Sequence, residues 1–265
     1  MLVVGMARAL RRDMAHKLDT LPMELPSTVA LSYVMAQNRA MNVTATNLAN
    51  IGTPGFKAGH MLFSDWLARG PGLGGADRTA YVQDRATWRD NAPGTLTHTG
   101  NPLDLAIGGD GYFTVDTPRG PRLTRAGRFS AQPDGTVTDS AGGALLDTGG
   151  QPIRVGPADT MLTVSADGAL QSENGPLGRI GVVKPEDAMR LQAEGATTYR
   201  SDSDTAAVAQ PRIIQGAVED SNVQPVLEVT RMMSGLRAFQ FASQFMDAEA
   251  TRLQGAIDKL TQRKE

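Results

Sequence analysis

The 265-residue sequence has no cysteine, few aromatic residues and only a small excess of negative charge. The absence of cysteine excludes disulfide bonds and thiolate metal sites. A formal net charge of −2 indicates neither nucleic acid nor an anionic membrane as a partner. No apolar run approaches the roughly 20 residues that a membrane-spanning helix needs, so membrane insertion is not expected.

The N-terminus also lacks the order of a secretory signal. Its apolar opening stops at Arg8, whereas a signal peptide places basic residues before the apolar core. We therefore interpret residues 1–26 as an extension outside the fold. If the protein leaves the cytoplasm, we expect it to do so without a cleaved signal peptide.

Turn-forming residues are plentiful, with 29 glycines and 15 prolines. Between residues 96 and 170, short strand-type segments alternate with glycine turns, which is typical of an all-β sandwich or barrel. The β pattern then continues, with a short predicted helix at Pro185–Gln192. The sequence therefore predicts a β-rich domain at residues 96–214, preceded by a connector at residues 53–95.

Both ends of the chain show helical periodicity. An N-terminal helix, residues 27–52, is predicted to begin with Ser27 or Thr28 as its cap. A C-terminal helix, residues 215–265, carries apolar residues at the coiled-coil period. The predicted fold class is α+β, with coiled-coil-like terminal helices packed together and an all-β domain inserted between them.

Each terminal helix has an apolar stripe that must be covered. One interpretation is a helical hairpin within the chain. The other is contact with further subunits, favoured because Met233, Phe241 and Phe245 lie away from the main stripe and call for contacts on more than one side. We expect an oligomer.

No constellation of residues indicates catalysis. His16, His60 and His98 are scattered, and the glycines of GPGLGG (residues 70–75) lack the strand and helix that a nucleotide-binding loop requires. Asp104, Asp110 and Asp116 do not have the spacing of a calcium loop. We therefore expect no enzyme activity, no cofactor and no metal.

The segment TATNLANIGTPGFKA, residues 44–58, ends the first helix with two amides and a tight turn. Asn47 and Asn50 are placed to bond backbone carbonyls where the helix stops. Pro54 and Gly55 then redirect the chain, and Phe56 anchors the turn. Two interpretations compete. In one, this segment acts at a contact between subunits, and in the other it is an ordinary helix cap without such a contact.

Three blocks together carry a resemblance to a known family. NLANIGTPGF (residues 47–56), the pair LDLAIGGDGYF and RLTRAGRFS (residues 103–113 and 122–130), and EDSNVQPVLEVTRMMSGLRAFQ (residues 219–240) resemble, in order, the motifs of bacterial flagellar basal-body rod proteins. The short segment after Phe56 and the block at residues 178–199 are more similar to the proximal-rod type than to the distal-rod type. Residues 1–26 have no counterpart in the family.

The resemblance implies a structural subunit that polymerises through its terminal helices into an axial tube, with the β domain outside. Its implied partners are copies of itself, other rod subunits and the flagellar export apparatus, and its implied location is the periplasmic rod of the basal body. The expected assembly interface comprises Leu31, Val34, Met41, Asn47, Leu48, Asn50, Phe56, Asn222, Val229, Met232, Leu236, Phe239, Met246, Leu253, Ile257 and Leu260.

Two other functions compete with this hypothesis. The β domain would be a cell-wall-binding module on an oligomerising helical stalk if its aromatic residues formed a sugar platform. The available aromatics are Tyr81, Trp88, Tyr112, Phe113, Phe129 and Tyr199. A hydrolase is the other alternative, but the sequence nominates no acidic residue for it.

Overall fold

The structure is a computed structural model that describes residues 25–69 and 78–262. The described chain divides into two compact units. The first contains residues 25–41, 62–69, 78–86 and 233–262, and the second contains residues 42–61 and 87–232. Most of the expected N-terminal extension and the GPGLGG segment lie outside the described residues.

Two α-helices lie at the ends of the described chain: α1 (Leu25–Ala49) and α2 (Pro225–Gln262). Eighteen strands and a 3₁₀ turn (Ala188–Arg190) lie between them in the described residues. The strands are β1 (Gly59–Arg69), β2 (Arg78–Arg89), β3 (Leu96–His98), β4 (Leu105–Ile107), β5 (Tyr112–Thr117), β6 (Gly120–Thr124), β7 (Phe129–Ala131), β8 (Val137–Asp139), β9 (Ala144–Leu145), β10 (Thr163–Val164), β11 (Ala169–Ser172), β12 (Gly175–Arg179), β13 (Val182–Pro185), β14 (Leu191–Ala193), β15 (Thr198–Ser201), β16 (Thr205–Ala207), β17 (Ile213–Gln215) and β18 (Ala217–Glu219). The α+β class is therefore confirmed.

Strands β3–β18 form an antiparallel β body, residues 96–219, within the second unit. Its largest sheet runs β14-β15-β6-β5-β9-β8-β7, and β13 joins β5 to β16. The other pairings are β10-β11-β12, β17 with β4 and β18 with β3. The core lies inside this body, where Phe113 and Phe129 meet edge to face with their ring centroids 5.5 Å apart.

The region expected to be a connector contains two long strands. β1 and β2 pair with one another as a two-stranded sheet. The sequence predicted a connector here because the glycines between the two strands are typical of a flexible segment. The pairing of β1 with β2, across the eight residues that separate them, is what assigns them to a sheet.

The boundaries of the terminal helices also differ from expectation. α1 begins at Leu25, so Ser27 and Thr28 lie inside its first turn. α2 begins at Pro225, because residues 213–219 form β17 and β18 against β4 and β3. In the region of the short predicted helix at Pro185–Gln192, the structure has only the 3₁₀ turn between strands β13 and β14.

The less exposed positions of α2 recur at alternating steps of four and three residues. They are Glu228, Met232, Gly235, Phe239, Ala242, Met246, Glu249 and Leu253, with Ala238 and Ser243 half-buried beside this row. Val229 and Leu236 of the expected interface are exposed instead. A Cβ atom built on Gly235 would lie 3.2 Å from Met41 Cγ, so α1 and α2 approach closely at this point. Coiled-coil packing along their length stays a prediction.

The Phe113→Ala substitution tests how strongly the β body depends on its core. Phe113 is fully buried, and removing its ring leaves a cavity, so we expect the free energy of unfolding to fall by about 3–5 kcal/mol. The measurement is chemical denaturation followed by near-UV circular dichroism. Phe241→Ala is the matched control, because the Phe241 side chain is 74% exposed. An equal loss of stability in both variants would contradict the assigned core.

Candidate functional site

A buried carboxylate joins three distant parts of the second unit. Glu219, at the end of β18, is 1% exposed. Lys57 Nζ donates a hydrogen bond to Glu219 Oε1, and Arg125 Nη1 donates to Oε2 over 3.1 Å. Lys57 is 162 residues from Glu219 in the sequence, and Arg125 is 94 residues away. One anion therefore holds two cations from separate segments of the chain.

Backbone groups supply further hydrogen bonds to this cluster, whereas the buried Arg125 Nε has none. The Gly94 N–H donates to Glu219 Oε1 over 3.0 Å, and Lys57 Nζ also donates to the Ala92 carbonyl over 2.8 Å. Arg125 Nη2 donates to the Gly109 carbonyl over 2.7 Å. These partners matter because a buried charge is tolerated only when it is paired and hydrogen-bonded. We call Lys57, Arg125 and Glu219 the ion triad.

The turn after α1 is closed against the same strand. The Gly55 N–H donates to the Glu219 backbone carbonyl over 2.7 Å. Gly55 has a φ of +72°, and a Cβ atom there would lie 2.3 Å from Ala126 N and Arg125 C. Only glycine combines this left-handed backbone with so close an approach.

Two asparagines tie the ends of the helices to neighbouring backbone. Asn47 accepts a hydrogen bond from the Gly59 N–H and donates to the Gly59 carbonyl, over 2.8 and 2.9 Å. It also donates to Glu228 Oε2 in the first turn of α2 over 3.2 Å. Asn222, just before α2, accepts from the Ala58 N–H and donates to the Asp90 and Ala92 carbonyls.

An aromatic and cationic layer covers the turn. Phe56 is fully buried with Ala58 and Val223, and the Arg89 guanidinium lies 4.9 Å from the centroid of its ring. Arg89 also donates to the Lys57 carbonyl over 2.8 Å. Burial raises the pKa of Tyr199, next to Arg89, to about 12, so this phenol stays neutral at physiological pH.

The residues of the expected interface separate into distinct groups. Asn47 and Phe56 are buried and Asn222 is half-buried, and all three make contacts inside the second unit. Leu31, Val229, Leu236 and Ile257 are exposed on the helices. The half-buried positions are Val34, Met41, Leu48, Asn50, Met232, Phe239, Met246 and Leu253. The side chain of Leu260 lies outside the described set.

Sequence reasoning did not identify the ion triad. Lys57 and Arg125 each lie within a short stretch of small or apolar residues, in GFKA and LTRAG, although Arg122 and Arg128 stand three residues on either side of Arg125. A single charge inside an otherwise buried segment is a signal for a paired interior ion, because isolated charges are not buried. The identity of the partner was not accessible, because it depends on the tertiary fold.

The described residues offer no clear chemistry for the competing functions. Within residues 25–69 and 78–262, no group of three or more metal-ligating side chains is placed to hold an ion. Asp104 instead accepts hydrogen bonds from Thr99 and Asn101, and Asp110 pairs with Lys184. Among the helices of the described chain, none has the length and apolar character to cross a membrane.

The sugar-platform alternative also lacks support. Four of its candidate aromatics, Tyr112, Phe113, Phe129 and Tyr199, are buried. A cavity of about 550 Å³ on the β body is lined by polar and aliphatic residues with no aromatic side chain. Trp88 is partly exposed and packs on His60, with ring centroids 4.9 Å apart, and the Tyr81 side chain is outside the described set.

These features describe a framework in which the turn after α1 is fastened to the β body by a buried ion triad. Family models match the chain in three places: "Flagella basal body rod protein" at residues 29–57, "Flagellar hook protein FlgE/F/G D1 domain" at 106–172, and "Flagellar basal body rod FlgEFG protein C-terminal" at 214–258. Each matched range contains one residue of the ion triad: Lys57 is the last residue of the first range, Arg125 lies in the second and Glu219 in the third.

Whole-chain comparisons agree with the family models. The chain is 36% identical to the flagellar basal-body rod protein FlgF of Caulobacter vibrioides over 235 residues, covering 88% of this chain and 96% of that protein. It is also 36% identical to FlgF of Mesorhizobium japonicum, again covering 88% of this chain and 96% of that protein. It is 29% identical to the rod protein FlgG of Bacillus subtilis, over 82% of this chain and 92% of that one. The chain belongs to the flagellar basal-body rod protein family, as a FlgF-like structural subunit.

Replacing Glu219 tests whether the triad stabilises the fold. Glu219→Gln leaves two buried cations without their anion, and we expect a loss of about 3–5 kcal/mol in the free energy of unfolding. The measurement is urea denaturation of the whole chain. Asp110→Asn is the matched control, since it removes an exposed ion pair with Lys184 and is expected to change stability by less than about 1 kcal/mol. A Glu219→Gln variant as stable as the control would refute the assignment.

Proposed function

We propose that this chain is a proximal-rod subunit that polymerises through α1 and α2, with copies of itself and with other rod subunits. The choice of the proximal type is supported by the higher identity to FlgF proteins than to the FlgG protein of Bacillus subtilis. A distal-rod role is the alternative. In this proposal the terminal helices pack as coiled coils with those of neighbours, and the β body lies outside them.

One observation carries the proposal: α2 leaves many large apolar side chains in water. Phe241 is 74% exposed and Val226 is 81% exposed, and further exposed apolar residues occur along the helix. The exposed apolar residues of α2 are Val226, Leu227, Val229, Met233, Leu236, Phe241, Phe245 and Ile257. An apolar surface of this extent is typical of a protein–protein contact.

The row facing inward on α2 is poorer in apolar surface than the exposed faces. It alternates the half-buried Met232, Phe239, Met246 and Leu253 with Gly235 and Ala242, which have little or no side chain, and with the charged Glu228 and Glu249. A helix that leaves so many of its large apolar residues exposed gains a substantial part of its stability from partners. This distribution supports an assembly subunit and does not suit a helical hairpin complete in itself.

The remaining parts of the proposal follow from family membership. We place the protein in the periplasmic rod of the basal body, delivered through the flagellar export apparatus without a cleaved signal peptide. In this role the chain carries out no catalysis and needs no cofactor. The β body supplies a folded unit of fixed shape outside the helical tube.

Substituting the exposed phenylalanines of α2 tests the proposal. Phe241→Ser combined with Phe245→Ser removes two apolar contacts with partners, each contributing about 1.5–3 kcal/mol when buried. We expect incorporation into purified basal bodies to fall by about tenfold or more, with loss of swimming, because each 1.4 kcal/mol is a tenfold change in affinity. The measurement is the amount of this chain in basal bodies from a strain that carries only the variant.

Gln240→Ser combined with Gln244→Ser is the matched control. Both glutamines are exposed on the same helix, so this variant is expected to assemble normally. Deleting residues 240–265 is the stronger version of the test and should abolish assembly while the β body stays folded. Normal rods and swimming with the doubly substituted or the truncated chain would defeat the proposal.

A further inference from the structure

Asn47 is the side chain through which α1, β1 and α2 meet. Its amide oxygen accepts from the Gly59 N–H over 2.8 Å, and its amide nitrogen donates to the Gly59 carbonyl over 2.9 Å. In an antiparallel sheet, two opposite residues exchange the same pair of hydrogen bonds through their backbone N–H and C=O groups. The end of α1 is therefore fixed to the start of β1 by a side chain that imitates backbone.

The second donor of the same amide reaches α2. Asn47 Nδ2 lies 3.2 Å from Glu228 Oε2, and the other carboxylate oxygen of Glu228 accepts from Arg231 Nη1 over 2.6 Å. Asn47 and Glu228 are both buried, with 2% and 3% of their surfaces exposed. A buried hydrogen bond to a charged group is stronger than a neutral one and constrains the direction of both partners.

The second amide of the same motif makes different contacts. Asn50 Nδ2 donates to the Thr46 carbonyl of its own helix over 2.8 Å, and Asn50 Oδ1 accepts from Thr53 over 3.3 Å. These bonds cap the last turn of α1 and close the turn after it. Asn47 therefore connects three elements, whereas the side-chain bonds of Asn50 stay within the helix end and its turn.

We propose that Asn47 is a positioning residue for assembly, which sets the direction of the first turn of α2 relative to the last turns of α1. This inference rests on the proposed function, because a defined direction matters only if the helices dock on neighbours. An interface made by two helices needs both in place at once, and loss of one angular constraint lowers the fraction of chains ready to bind. Glu228 is the partner through which Asn47 acts on α2.

A set of substitutions separates positioning from folding. Asn47→Asp removes the donor and places an acceptor against the Gly59 carbonyl and the Glu228 carboxylate. We expect incorporation into basal bodies to fall by about tenfold, in line with the loss of a buried charged hydrogen bond. Adding Glu228→Gln supplies a donor to the new carboxylate, and this double variant is expected to recover at least about half of the parent's incorporation.

Matched single variants complete the set. Glu228→Gln alone keeps an acceptor for Asn47 but loses the charge of the bond, so incorporation is expected to fall by less than in Asn47→Asp. Asn50→Asp makes the same chemical change three residues away, and its loss of incorporation is expected to be smaller than that of Asn47→Asp, because the side-chain bonds of Asn50 stay within the helix end and its turn. Near-UV circular dichroism of each purified variant checks that the β body, including Phe113 and Phe129, is folded.

A distance measurement gives a direct view of the positioning. The chain has no cysteine, so cysteines introduced by Ala45→Cys and Thr230→Cys would be the only ones in the protein and would direct the spin labels to these two positions. Both positions are exposed, on the last turns of α1 and the first turns of α2. We expect the distribution of label–label distances to broaden in Asn47→Asp and to narrow again when Glu228→Gln is added. A merely stabilising role for Asn47 would leave the distribution unchanged.

The inference is overturned by any of three results. Normal incorporation of the Asn47→Asp variant into basal bodies would refute the positioning role of Asn47. An equal loss of incorporation in Asn50→Asp would show that both asparagines act only as caps of the helix end. If Asn47→Asp with Glu228→Gln assembles no better than Asn47→Asp, Glu228 is not the partner through which Asn47 acts. The proposed function fails separately: normal assembly of the Phe241→Ser and Phe245→Ser chain would defeat polymerisation through α2 whatever Asn47 does.

Discussion

The burial of the Glu219 carboxylate between Lys57 and Arg125 is the interaction on which the rest of the structure depends. A carboxylate removed from water is stable only when its charge and its lone pairs are satisfied. Here two cations and the Gly94 N–H satisfy it, and each comes from a different part of the chain. Losing Glu219 leaves two uncompensated cations inside the protein, and losing one of its donors leaves the buried carboxylate with unsatisfied lone pairs. The turn after α1, the β body and the strand before α2 must therefore fold together.

The helices are held differently from the β body: hydrogen bonds fix their ends, and much of the apolar surface of α2 stays exposed. Their ends are fixed by hydrogen bonds in the second unit, through Asn47, Asn222 and Glu228. Farther along α2, large apolar residues such as Phe241 are exposed, so this part of the helix gains little from its own chain. The β body thus has its own buried core, whereas α2 leaves apolar surface uncovered by its own chain. In the proposed function, neighbouring subunits cover that surface after the chain has folded.

The short motif at the end of α1 combines hydrogen bonding and burial within a few residues. Asn50 satisfies a carbonyl of its own helix, Asn47 joins α1 to β1 and α2, and Gly55 lets the chain pass against Arg125 and Ala126. Phe56 and Lys57 then enter the interior as an apolar anchor and a paired charge. The motif is therefore a compact connection between the end of α1 and the β body.

The sequence by itself determined what depends on local periodicity and on motifs. The helical spacing of apolar residues predicted α1 and α2, and alternating strand and turn types predicted the β-rich middle. The motif blocks indicated the flagellar rod family, which the family models and relatives confirm. These features were accessible because each is written within one short stretch of the chain.

Only the tertiary structure decided which distant residues meet. It placed residues 215–219, expected to begin a helix, at the end of β17 and in β18, paired with β4 and β3, and it placed two strands where a connector was expected. It also brought Glu219 to Lys57 and Glu228 to Asn47, across 162 and 181 residues of sequence. The physical reason is that strand pairing and buried charge pairing depend on the folded path of the chain, and no local pattern of residue types specifies that path.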